Sequence, residues 1–159
     1  MIAIATPPGA TAALRHVETE LFGTLDVRDE QLLTFDEGPL GFPACKEWIL
    51  LLGATTGTAW LQSAEHAPLA FLLVDPFAAF DGYAVDLSPT ELGRLGATRA
   101  SELAVFAIVT LPESREAPVT ANLLGPVVIN VRARCGAQLV TSSDRWSVKE
   151  SFALDALHQ

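Results

Sequence analysis

Short apolar runs recur along this chain, some alternating with polar residues at a period of two and others apolar throughout. Both patterns fit strands, whose successive side chains point to opposite faces. Residues 17–21 and 24–27 alternate around Phe22 and Gly23 and predict a short antiparallel pair. Further strands are predicted at 32–35, 48–52, 59–63, 69–74, 83–87, 103–111 and 137–141. Turn signals at Gly53, Gly57, residues 65–68, Asp75-Pro76 and Asp81-Gly82 separate several of them at the spacing of an all-β barrel or sandwich. The least ambiguous β signal is residues 122–131, two apolar runs that meet at Gly125-Pro126 with an asparagine near each end. Pro126 suits neither central position of a two-residue hairpin, so the pair predicts a bent strand at a barrel corner. A strand apolar on both faces must be covered on both.

One helix is predicted, at about 88–95. Ser88 can cap it, Pro89 fits the first helical position, and Glu91 stands where a capping box needs a carboxylate. Gly96 can close it. Residues 36–43 hold two glycines and two prolines and predict a structured loop anchored by Leu40 and Phe42. Residues 146–154 mix aromatic, charged and apolar types, and fit an edge strand or an extended tail equally. No repeat or linker interrupts the pattern. The expectation is therefore a mainly β, compact, barrel-like single domain of antiparallel strands with one short helix. Its boundaries are drawn as a disordered leader at 1–15, the domain at 16–154 and a tail at 155–159.

Composition narrows the function classes. Half of the 159 residues are hydrophobic and 18% are charged, which excludes a disordered chain and leaves apolar surface for an interaction protein. The net charge is −9, and residues 1–116 carry 16 Asp/Glu against 6 Lys/Arg, while residues 117–159 carry 3 against 4. Such a surface repels phosphate backbones, so direct nucleic-acid binding is not expected; a basic partner would be steered toward it. Cys45 and Cys135 lack redox or zinc spacing and read as free thiols of a reducing cytoplasm. There is no export signal or transmembrane-length run, so a cytoplasmic protein without membrane contact is expected.

Catalytic chemistry has little to stand on. His16, His66 and His158 show no metal-ligand spacing, no cofactor motif is present, and Gly38 and Gly41 lack the Lys-Ser/Thr of a phosphate loop. Ser63, His66 and Asp75 supply the residue types of a triad, and define an alternative reading as a small β-barrel hydrolase or ligand-binding protein. No nucleophile elbow accompanies them.

The order of Phe35-x-x-Gly38-x-x-Gly41-Phe42, Trp60-Leu61-Gln62-Ser63, Phe71-x-x-x-Asp75-Pro76-Phe77, Tyr83 and the run from Asn122 to Asn130 resembles the FliW family of flagellar assembly factors. The resemblance covers about residues 17–152 and implies a compact, mostly β, barrel-like fold. It also implies a monomer that binds the translational regulator CsrA, antagonises its repression of flagellin synthesis, and switches partner with flagellin. Three departures stand out: the leader to Arg15, Trp146 where Tyr is usual, and the tail after Phe152.

Candidate partner-binding residues follow. Asp75, Phe77, Phe80 and Tyr83 crowd a polar, turn-rich segment, and form either an aromatic docking patch or core under a loop. Asn122 and Asn130 either meet a partner's backbone or satisfy groups inside the fold.

Overall fold

The computed structural model describes residues 3–4 and 14–154. In chain order the strands are β1 (Ala3–Ile4), β2 (Leu14–Glu18), β3 (Thr24–Arg28), β4 (Leu32–Phe35), β5 (Glu47–Leu52), β6 (Thr58–Ser63) and β7 (Ala70–Val74). Two short helices follow, α1 (Pro76–Ala79) and α2 (Pro89–Arg94), and then β8 (Ala104–Thr110), β9 (Val119–Asn130), β10 (Cys135–Gln138) and β11 (Glu150–Phe152). Strands β5, β4, β10, β9, β8, β7 and β6 pair in that order, and β6 pairs back onto β5, which closes a seven-stranded barrel. Closure removes the long open edges that an apolar sheet would otherwise present.

The period-two pattern becomes the inside and outside of this barrel. Leu33, Phe35, Trp48, Leu50, Leu61, Leu73, Val127 and Ile129 fill the interior. The alternate residues are also buried, because the outer wall is covered in three places. The β2–β3 hairpin lays Val17 and Val27 over Ile49 and Leu51. The end of α2 sets Leu95 against Val128, Ala137 and Leu139. Phe80 and Tyr83, just after α1, cover Val74, Ala107, Ala121 and Leu123.

The stretch at 122–131 lies mostly in β9, a single strand of 12 residues that is not broken into a hairpin. Its first part pairs with β11 and its second with β10. Against β8 the register jumps: Val127 faces Phe106 and Asn122 faces Ile108, so residues 123–126 stand opposite Ala107 alone. This bulge is where Gly125 and Pro126 sit, and Pro126 has no N–H to miss there. The carbonyls that the bulge leaves without a β8 partner are satisfied, since Leu139 N donates to Pro126 O at 2.9 Å and Thr141 N donates to Leu124 O at 2.8 Å.

The predicted helix forms where its caps place it. Ser88 Oγ accepts from Glu91 N at 3.1 Å and Glu91 Oε1 accepts from Ser88 N at 2.9 Å, while Gly96 follows at φ +67°. Ser88→Ala should therefore cost about 1 kcal/mol, read from a urea midpoint, with Ser88→Asp close to the parent.

The structure differs from the sequence reading in several places: the expected strand at 137–141 is Cys135–Gln138, and the expected loop anchor Leu40 is 62% exposed. Barrel strands β4 and β10 run parallel, with Cys135 beside Thr34, so the barrel is not wholly antiparallel. Helix α1 is a second helical turn. Residues 83–87 form no strand; Tyr83 and Val85 pack on one outer cluster and Leu87 on the next, an alternation produced by covering the barrel and not by pairing. Within the expected leader, Ala3–Ile4 pairs with β5 and Leu14 and Arg15 open β2, while its other residues and the tail at 155–159 lie outside the described residues.

Candidate functional site

The aromatic corner is built outward from Asp75. β7 must end there because Pro76 cannot donate to a ladder, and Pro is favoured at the first position of a helix. Asp75 Oδ1 accepts from Phe77 N at 2.9 Å and caps α1. The helix is one turn long, and turns Phe77 outward and Phe80 inward. Phe77 is 51% exposed, and its ring lies 5.4 Å from that of Tyr83. Phe80 is buried, with Trp146 at 5.9 Å and Phe152 at 5.4 Å between ring centroids. Tyr83 lies 5.9 Å from Trp146 and donates its hydroxyl to Leu123 O at 3.3 Å.

Trp146 is the member that sequence reasoning could not place. Ser143 Oγ accepts from Arg145 N at 3.0 Å and Trp146 N at 3.1 Å, which folds the segment back onto Phe80. Arg145 then lies over the indole at 4.5 Å and donates from Nη2 to Asp81 O at 2.9 Å. A cationic guanidinium over an aromatic face is attracted by the ring quadrupole. Beside these residues lies a cleft of about 360 Å³ walled by Tyr83, Asp86, Leu123, Thr141, Arg145 and Trp146. Its walls carry aromatic faces, one stacked cation and the Asp86 carboxylate. The signal for Trp146 was an isolated aromatic in a Ser-rich, charged segment; nothing in the sequence pointed to Arg145.

Burial pushes the Tyr83 phenol up to about 12. Because Tyr83 is the chain's one tyrosine, a phenolate absorbance titration reports on this corner alone. The midpoint should lie well above the ordinary value of about 10. The neutral phenol is the form the fold favours, so its contribution is complete below about pH 10 and is lost as pH rises through about 12.

Asn122 and Asn130 are turned to internal uses. Asn130 is buried, donates from Nδ2 to Leu95 O at 2.7 Å and accepts at Oδ1 from Ala133 N at 3.1 Å. Asn122 Oδ1 accepts from Leu124 N at 3.0 Å, holding the turn into the bulge.

The Ser63, His66 and Asp75 grouping comes apart. β6 and β7 run antiparallel, with Thr58 beside Val74 and Gln62 beside Ala70. Ser63 and Asp75, which stands opposite Gly57, are thus at opposite ends of the hairpin, separated by about 20 Å at the usual rise per residue. Ser63 is fully buried, and its Oγ accepts from Glu65 N at 3.1 Å and His66 N at 3.0 Å, so it shapes a turn. Glu65 caps the neighbouring strand: backbone N–H groups of Glu47 and Lys46 donate to it and hold its carboxyl below the usual range. Both cysteines are free, and burial raises both thiols. No helix among the described residues is long and apolar enough to cross a membrane.

A family profile described as "FliW protein" matches residues 16–152, a span that includes the entire barrel and the aromatic corner. The chain belongs to the FliW family. The flagellar assembly factor FliW of Moorella thermoacetica is 38% identical over 146 residues, covering 88% of this chain and 92% of its own. The FliW of Magnetococcus marinus is 33% identical over 126 residues, covering 79% and 78%. A crystal structure of the flagellar assembly factor FliW superposes with a TM-score of 0.78 at 30% identity, over 86% of this chain and 96% of that one. The mainly β barrel expected from the sequence is therefore the FliW fold. Its motif residues divide by role: Phe35 and Leu61 belong to the barrel core, while Phe77 and Tyr83 belong to the corner.

Proposed function

We propose that this protein acts in flagellar assembly by binding, as a cytoplasmic monomer that holds CsrA away from its RNA and exchanges it for flagellin. Membership of the FliW family across the entire barrel is the observation that carries this reading. The relatives named above are called flagellar assembly factors. Charge supports the mechanism. A body of net charge −9 brought beside an RNA-binding surface weakens phosphate binding even where it does not cover it, and salt screens the effect.

Docking is assigned to the corner around Asp75, Phe77 and Tyr83, with Trp146 and Arg145 added to it. Phe80 supports these from below. An exposed aromatic beside a stacked guanidinium has the composition of an interface centre. Asn122 shapes the backbone next to it, while Asn130 holds the end of α2 at the far end of β9. The test is a competition: adding the protein to CsrA bound to its leader RNA should release RNA, and adding flagellin should restore RNA binding. RNA binding unmoved by an excess of the protein would overturn the proposal.

A further inference from the structure

The barrel seam between β7 and β8 is thin, as is that between β4 and β10. β7 and β8 pair only through Leu73 with Ile108 and Val74 with Ala107, because β7 stops at Val74 and turns into α1. β8 extends beyond this pairing through residues 104–106, which are held by β9 on one edge only. Along the other edge no strand pairs with them among the described residues. A groove of about 350 Å³ runs beside that edge, walled by Leu52, Ala59, Asp75, Phe77 and Leu103. Leu52 and Phe77 are each about half exposed.

We propose that this groove binds an extended segment of a protein partner. The segment pairs as an added strand with residues 104–106, seats apolar side chains on Leu52 and Phe77, and brings a basic residue to Asp75. The open edge selects an extended occupant, since backbone N–H and C=O groups of β8 are matched by another strand and not by a helix, whose own groups are already paired. Strand side chains alternate, so one face of the segment meets the apolar walls. Asp75 is the one ionisable side chain lining the groove. Its Oδ1 is used by the α1 cap, and its Oδ2 has no hydrogen bond among the described residues. A second copy of the chain is disfavoured, because two bodies of charge −9 repel. The inference goes beyond the reading above: it concerns how a segment is held, whichever partner supplies it.

Selection of short random peptides on the intact protein provides the probe, followed by synthesis of an enriched peptide. Enriched sequences should alternate apolar residues and carry Lys or Arg. The synthetic peptide should slow amide exchange by about tenfold or more at those of residues 104–106 whose N–H faces the open edge, and N-methylation at its pairing positions should weaken binding by about tenfold. Asp75→Asn keeps the helix cap and removes the charge. It should weaken the basic peptide several-fold and leave a Gln-substituted peptide unchanged. The inference is overturned if no selected peptide protects those amides, if N-methylated peptides bind as well, or if sedimentation shows the edge already occupied by a second copy.

Discussion

Trp48→Ala should lower the unfolding free energy by about 3–5 kcal/mol, enough to leave a domain of this size close to unfolded at room temperature. Trp48 is wholly buried at the barrel centre, with Phe71 at 5.7 Å and Phe35 at 6.1 Å between ring centroids. Removing it opens a cavity that a closed barrel cannot collapse to fill, because hydrogen-bonded strands on every side fix the wall. Its indole also donates from Nε1 to Cys45 O at 2.8 Å, and that buried bond is lost. Trp48→Phe weights the two effects differently: a six-membered ring is kept, while the donor and the rest of the indole go, so its cost should be about 1–3 kcal/mol. Urea unfolding followed by far-UV circular dichroism measures both, independently of the other tryptophans.

Gly38→Ala should cost about 1–3 kcal/mol by overpacking, although Gly38 sits in a loop, where substitutions are usually mild. A Cβ there would collide with the backbone oxygens of Phe42 and Cys45, neither of which is the end of a flexible side chain. Gly38 N also donates to Pro43 O at 3.0 Å, which closes the loop on itself. Because Cys45 O is the acceptor for Trp48, pushing it aside disturbs the barrel core as well. Gly38→Ala and Trp48→Phe should therefore be non-additive in a double-mutant cycle, as expected for residues sharing a partner. Equal and independent costs would show that the loop and the core are separate.

These two residues also show what a sequence discloses. The run at 48–52 was legible as a strand, but being apolar throughout it does not show which of its residues face the barrel interior; Trp48 does and Ile49 faces the covering hairpin. Gly38 and Gly41 read alike in the sequence, as turn glycines. Gly41 does hold φ +92°, with open space around it, whereas Gly38 is glycine because two carbonyls leave no room. Close approach of distant backbone is not a local property and leaves no local mark. The same holds for the parallel pairing of β4 with β10, which joins residues about a hundred positions apart.

The corner divides along similar lines. Asp75, Phe77 and Tyr83 were visible because they crowd a short segment around a proline. Trp146 and Arg145 complete the surface from the far end of the chain, and only folding brings them to Phe80 and Asp81. The asparagines were conspicuous for being polar in an apolar run. Their amides serve the bulge and the end of α2, which is how buried polar groups are normally satisfied.

Titrating the protein into purified CsrA by calorimetry, at low salt and again at higher salt, tests the central claim most directly. A saturable complex whose affinity falls as salt rises is the result predicted, because the proposed complex would set an acidic body beside an RNA-binding surface. Absence of any complex at low salt would contradict the account.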